Sequence, residues 1–174
     1  MTILIALGSN RPHGEYGPPR KVLTAAVAAL ETRHVHVSRL SPVCVTEPIG
    51  PGTRRYANAV AAVETALQPE ALLETLHHIE RAFGRKRWRR WGDRVLDLDL
   101  IAYEQQVLPG RFGWRKERSG GVRSGLILPH PDMHRRAFVL RPAVTVAANW
   151  RHPVFGLTIQ QMWVRHRAPR QSLR

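Results

Sequence analysis

Residues 80–100 read ERAFGRKRWRRWGDRVLDLDL. The stretch opens at the end of a helical pattern. It then passes through Arg81, Arg85, Lys86, Arg87, Arg89, Arg90 and Arg94 and closes in alternation. Alternation predicts a strand, and successive side chains of a strand point to opposite faces. Asp97 and Asp99 therefore share one face, while Leu96, Leu98 and Leu100 share the other and can reach a core. The chain has only four aspartates, so two at this spacing stand out. Side-by-side carboxylates repel unless a cation lies between them or one is protonated. An oxygen-only pair with no Cys or His beside it suits a hard cation such as magnesium, commonly held by one or two carboxylates plus substrate phosphates. The neighbouring arginines then read as a polyphosphate clamp, because the guanidinium fork matches phosphate oxygens. The competing reading is a half-buried strand whose acidic face is balanced by those arginines.

Working outward, residues 69–83 predict the clearest helix. Pro69 suits its first turn, Leu72, Leu76, Ile79 and Phe83 form a core stripe, and Gly84 stops it. His77 and Glu80 lie on the side next to the basic segment. Before that helix, residues 56–63 alternate as a strand that places Tyr56 and Asn58 on one face. They follow a rigid loop, TEPIGPG at 46–52. A Tyr and an Asn at a loop mouth can stack on and hydrogen-bond a flat heterocycle, or form an ordinary half-buried pair. Residues 2–7 predict a buried strand ending in a Gly8-Ser9-Asn10 turn. Residues 19–31 predict a helix with an apolar face, and 34–45 a strand from His34 and then an extended piece. Residues 104–127 carry five glycines and five basic residues without periodicity and predict a long loop. A short helix is expected at 132–139, and Leu140 to Trp150 has no clear form. A capping box at Thr158 opens a final helix to about Arg165, and 167–174 reads as a frayed tail.

The order β, α, β, β, α, β with a helical tail predicts an α+β fold of the ferredoxin-like split βαβ type. The sheet is expected to be antiparallel, with helices packed on one face and ligand loops at one end. At 174 residues the chain should be one domain, placed at 1–166 with 104–127 as an insertion. No apolar run is long enough to span a bilayer, and MTILIALGSN reads as a strand rather than a signal peptide. The single cysteine, Cys44, excludes a disulfide framework and points to a reduced, cytoplasmic setting. The net charge is +14, with 24 of 27 basic residues being arginine. This implies an anionic partner or an arginine-rich solvated surface. No Walker A, dinucleotide fingerprint, nucleophile elbow or HExxH is present. His130, fixed between two prolines, reads as a phosphate contact or a loop anchor.

Four segments carry a resemblance: GSN at 8–10, TEPIGP at 46–51 with YANAV at 56–60, GRKRWRRWGDRVLDLDL at 84–100, and LPHPDMHRRAFVLRP at 128–142. Together, across roughly residues 1–165, they resemble the 6-hydroxymethyl-7,8-dihydropterin pyrophosphokinases of folate biosynthesis. The resemblance implies transfer of the terminal pyrophosphoryl group of ATP to the pterin hydroxymethyl oxygen, with release of AMP. It implies that Asp97 and Asp99 hold two magnesium ions, and that Asp97 lies near the attacking hydroxyl. Arg85 and Arg94 join them as catalytic groups. Thr46, Glu47, Ile49, Tyr56, Asn58, Asp97 and Phe138 are the implied pterin contacts. His77, Glu80, Arg87, Trp91, Arg94, Leu100, His130 and Arg136 are the implied ATP contacts. A monomer is expected, with no membrane partner.

Three departures from the family pattern stand out. Asp93 occupies a usual proline position, the basic loop is short between Arg87 and Trp91, and the 104–127 insertion is long. Arg111, Arg115, Lys116, Arg118 and Arg123 are read either as a second phosphate lid or as an inert surface. Two rival functions are a nucleic-acid-binding ferredoxin-like module and a degenerate pterin-binding paralogue. No aromatic RNP-type strand supports the first, and the intact aspartate pair opposes the second.

Overall fold

The computed structural model describes residues 2–47, 54–84, 94–118 and 125–168. Five strands form one sheet: β1 (Ile3–Ser9), β2 (His36–Leu40), β3 (Cys44–Thr46), β4 (Tyr56–Glu64) and β5 (Asp97–Tyr103). Their order is β2-β4-β1-β5, with β3 also on β4, and every pairing is antiparallel. β1 runs through Ser9, so Gly8 belongs to a strand and not to a turn. The predicted α+β split βαβ arrangement is what forms.

The helices depart from the expected one-sided packing. α1 (Pro19–Glu31) and α2 (Pro69–Ala82) cover one face of the sheet. α4 (Ala137–Ala147) and α5 (Ile159–Arg167) cover the other. Ile3, Ile5 and Leu7 face the first layer, with Leu98 and Leu100 beside them. Leu4, Val60, Ala62 and Ile101 face the second. Burying one such aliphatic side chain contributes about 1.5–3 kcal/mol. A central strand apolar on both faces therefore needs two helical layers.

Local chemistry sets the helix ends. Pro19 and Pro69 occupy first-turn positions, where a missing N–H costs nothing. Gly84 takes φ +77°, the left-handed conformation that ends α2 cheaply. At α5, Thr158 accepts from the Gln161 amide while Gln161 reaches back to the Thr158 amide, completing the capping box. Arg167 closes that helix instead of starting the tail. His34, expected in a strand, adopts φ 59° in the connection before β2.

Two further corrections concern segments after β5. Residues 111–118 form a helix, α3 (Arg111–Arg118), inside the stretch expected to be a loop. The short helix expected at 132–139 divides into a 3-10 turn, Met133–Arg135, and the start of α4. α4 carries Pro142 in its interior, which obscured its helical reading; the residue is buried against the second layer.

The β1–β5 ladder contains one irregularity. Ile5 pairs with Leu100 and Leu4 with Ala102, so Ile101 is an extra residue. The Ile101 carbonyl accepts the His130 amide at 2.8 Å, tying the following turn to the strand.

Candidate active site

The cleft opens on the α4 side of the sheet, and its floor follows from register. Gly8 of β1 stands between Asn58 of β4 and Asp97 of β5. The next row is Val60, Ala6 and Asp99. Small residues on the middle strand leave the floor low, while the outer strands raise polar walls. A Cβ at Gly8 would lie 3.4 Å from Asn58 Oδ1 and 3.9 Å from Asp97 Cβ, within the space between the walls. The volume is about 560 Å³, within the usual range for small-molecule sites.

One wall is suited to a flat heterocycle. Asn58 Nδ2 donates to Thr46 Oγ1 at 2.8 Å, which directs its Oδ1 toward the floor. Tyr56 lines the same wall, and Phe138 at the start of α4 also lines the cleft. Glu47 stands at the rim in an exposed ion pair with Arg55 at 2.8 Å.

The other wall is charged. Arg94 Nη1 meets Asp97 Oδ1 at 2.7 Å. Partial burial would lower the Arg94 pKa, but the Asp97 charge and their hydrogen bond, with Asp99 and Tyr56 adding, raise it. The Arg94 backbone is held from both directions: its amide donates to Asn10 Oδ1 at 2.7 Å, and its carbonyl accepts the Asn10 amide at 3.1 Å. Arg136 lies 3.7 Å from Asp99 and 3.4 Å from Asp132, with its guanidinium 5.7 Å from the centre of the Phe138 ring. Among the described residues, Arg94 and Arg136 thus pair with the three carboxylates of this wall, and Arg135 also lines the cleft.

His130 lines the cleft in a fixed setting. Its amide is bonded to Ile101, and its Nδ1 accepts the Asp132 amide at 3.1 Å. An accepting Nδ1 places the neutral ring's proton on Nε2, a donor suited to a phosphate oxygen.

The structure therefore gathers Thr46, Glu47, Tyr56, Asn58, Arg94, Asp97, Asp99, His130, Arg136 and Phe138 around one cleft. Ile49, Arg85, Arg87, Trp91 and Asp93 lie outside the described residues. Three predicted ATP contacts are placed elsewhere. Leu100 is in the core behind the sheet, because its strand parity is opposite to that of the aspartates. Glu80 is 2% exposed and accepts the Leu98 amide at 2.8 Å, tying α2 to β5 between the two aspartates. His77 is on α2 and does not line the cleft. Arg111, Arg115 and Lys116 are exposed and likewise do not line it, while Arg123 is outside the described residues.

The sequence reading missed Gly8, Asn10 and Asp132. Asp132 carries the same signal as Asp97 and Asp99, scarcity of aspartate, and lies two residues beyond His130.

The donor set fits magnesium. Asp97 and Asp99 offer oxygen ligands from one face, and among the described residues no group of three or more His, Cys, Asp or Glu competes as a closed metal cage. Such a pair leaves coordination positions for phosphate and water.

Comparison with known proteins points the same way. Residues 4–148 match the family model described as 7,8-dihydro-6-hydroxymethylpterin-pyrophosphokinase (HPPK). The chain is 38% identical over 151 residues to the 2-amino-4-hydroxy-6-hydroxymethyldihydropteridine pyrophosphokinase of Haemophilus influenzae, covering 86% of this chain and 83% of that one. It is 38% identical over 156 residues to the enzyme of the same name from Pseudomonas aeruginosa, covering 87% and 83%. In fold it is similar to the crystal structure of Plasmodium falciparum HPPK-DHPS, with a TM-score of 0.65 at 11% identity. That match covers 95% of this chain and 44% of the longer one. Sequence, fold and the cleft's chemistry converge: the chain belongs to the 7,8-dihydro-6-hydroxymethylpterin-pyrophosphokinase family.

Proposed function

We propose that this cleft transfers the pyrophosphoryl group of ATP to the hydroxymethyl oxygen of 6-hydroxymethyl-7,8-dihydropterin, a step of folate synthesis. The oxygen bonds to the β-phosphorus as the bond from that phosphorus to the α-phosphate bridging oxygen breaks. AMP leaves with that oxygen. The observation that carries the reading is the register row Asn58, Gly8 and Asp97, which sets an amide and a carboxylate on opposite sides of a flat floor.

The residues divide the work by chemistry. Tyr56 and Phe138 hold the pterin faces, and Asn58 with Thr46 reads its edge. Arg94, Arg136 and His130 bind the phosphates, so the reaction is run by positioning and charge neutralisation. Asp97 and Asp99 would hold two magnesium ions, which supply neutralisation of the triphosphate when bound. Asp97 would also orient the attacking hydroxyl. Among the described residues no helix is long and apolar enough to cross a membrane. We assign the reaction to a cytoplasmic monomer.

The test is to incubate the protein with ATP, magnesium and the pterin and separate the nucleotides. Pterin-dependent AMP with matching pterin diphosphate is expected. ADP in its place would mean single phosphoryl transfer and a misread reaction. The basic charge keeps one other reading open to test, and salt-sensitive binding of random RNA without AMP formation would favour a nucleic-acid module.

A further inference from the structure

α3 is a helix of eight residues with a glycine inside it, too short to be stable by itself. Its anchor is Trp114, which is fully buried. The indole Nε1–H donates to the Pro129 carbonyl at 2.6 Å. The ring meets His152 edge-on at 5.5 Å and Phe155 edge-on at 5.4 Å, while His152 and Phe155 stack at 4.4 Å. The chain beyond Pro129 is His130, whose ring lines the cleft. Leu108, just before α3, also pairs with Leu128 through both backbone bonds, at 2.9 and 3.3 Å. The turn presenting His130 is therefore gripped on three sides: by Ile101 of β5, by Leu108, and by the indole of α3.

We propose that Trp114 is a positioning residue for His130, and that α3 is the brace that sets the nucleotide side of the cleft. The inference rests on the reading of His130 as a phosphate donor. A buried N–H bonded to a carbonyl fixes that carbonyl's direction, because leaving either group unpaired costs more than the bond itself yields. Fixing the Pro129 carbonyl fixes the peptide plane that leads into His130. The exposed basic residues of α3 are not needed for this role; the indole is.

The test is a double-mutant cycle of Trp114→Phe and His130→Ala, read as KM for ATP, KM for the pterin, and kcat. Phenylalanine keeps an aromatic ring in the pad and removes the N–H. Trp114→Phe should raise KM for ATP by roughly tenfold, the size expected for one buried hydrogen bond, and leave the pterin KM unchanged. In the His130→Ala background the same substitution should change neither constant further. An equal effect in both backgrounds, or an equal rise in both KM values, overturns the proposal, since general loosening predicts that.

Gly113→Ala is the milder second variant. A Cβ there would fall 2.8 Å from Pro109 Cγ, displacing α3 while keeping every polar group. It should raise the ATP KM less than Trp114→Phe does, again only when His130 is present; a rise that persists without His130 counts against the brace. Calorimetric titration with ATP separates the two levels of inference. If the wild type makes no pterin-dependent AMP yet the variants remain coupled in ATP affinity, the reaction is wrong and the brace stands. An active wild type with additive variants means the reverse.

Discussion

Glu80→Ala tests how the aspartate-bearing strand is held. Glu80 is 2% exposed, and its Oε1 accepts the Leu98 amide at 2.8 Å. Leu98 lies between Asp97 and Asp99, so this bond fixes the backbone that spaces them. Alanine leaves the Leu98 N–H without that acceptor, which costs about 1–3 kcal/mol, and opens a small void costing about 1 kcal/mol more. For a chain of this size each kcal/mol lowers the melting temperature by about 2–4 °C, so the loss should be about 5–15 °C. Glu80→Gln keeps an oxygen at the same reach and should lose less than half as much. Thermal unfolding followed by circular dichroism measures all three proteins. AMP formation at 25 °C, where the alanine variant is still folded, should fall as well, because the two carboxylates lose their spacing. An alanine variant melting within about 1 °C of wild type would refute the strut. So would a glutamine variant as unstable as alanine, since the charge and not the acceptor would then matter.

Three other outcomes are expected. Asp97→Ala and Asp99→Ala should each lower turnover by orders of magnitude while the fold survives, and near-normal turnover in either removes the magnesium assignment. Phe138→Ala should raise the pterin KM by on the order of tenfold or more with little change for ATP, and the opposite split would reassign that side of the cleft. His152 makes stability depend on pH. Its pKa is pushed down to about 4, first by burial and then by the nearby His134, from an ordinary value of 6.5. Between those values the unfolded chain binds a proton that the folded chain refuses. Stability is therefore unaffected above about pH 6.5, falls as pH drops toward 4, and levels off below, a total of about 3 kcal/mol. The urea midpoint should drop between about pH 7.5 and pH 5. His152→Gln, which keeps an acceptor for the Val154 and Phe155 amides, should remove most of that drop, and an unchanged drop would assign it elsewhere.

What could be read in the sequence was whatever repeats with a period or carries a local cap. α2 shows its stripe of Leu72, Leu76 and Ile79, a proline at its start and a glycine at its end, and it forms where the pattern places it. β5 shows its alternation, and the two aspartates do share the cleft. α3 has none of these signals. Gly113 weakens it, its length allows no period, and its stability comes from one tryptophan meeting residues about forty positions away. The second helical layer had a signal that was passed over: Ile3, Leu4 and Ile5 are consecutive and all apolar, which a strand covered on one side does not require. Arg136 could be read as a basic residue near the site, with Asp132 a local partner four residues earlier, but its pairing with Asp99 of β5 is made only by the tertiary fold. The ligand contacts expected of Leu100 and Glu80 come from the family resemblance and not from any local pattern, and strand parity and burial set both side chains behind the sheet, away from the lining of this cleft.

The extra residue Ile101 acts as a phase shifter. Before it, even-numbered side chains of β5 enter the α1/α2 layer; after it, the odd-numbered Tyr103 does, donating its hydroxyl to the Leu67 carbonyl at 2.8 Å. The same strand in unbroken alternation, with Ile101 paired like the rest, could satisfy one end or the other. It could keep the aspartates over the cleft and turn Tyr103 out of its core, or keep Tyr103 and rotate both carboxylates into leucine's place. Deleting Ile101 alone would leave both ends in phase, so the loss would be confined to what that residue supplies: a side chain buried in the second layer and the carbonyl that accepts the His130 amide.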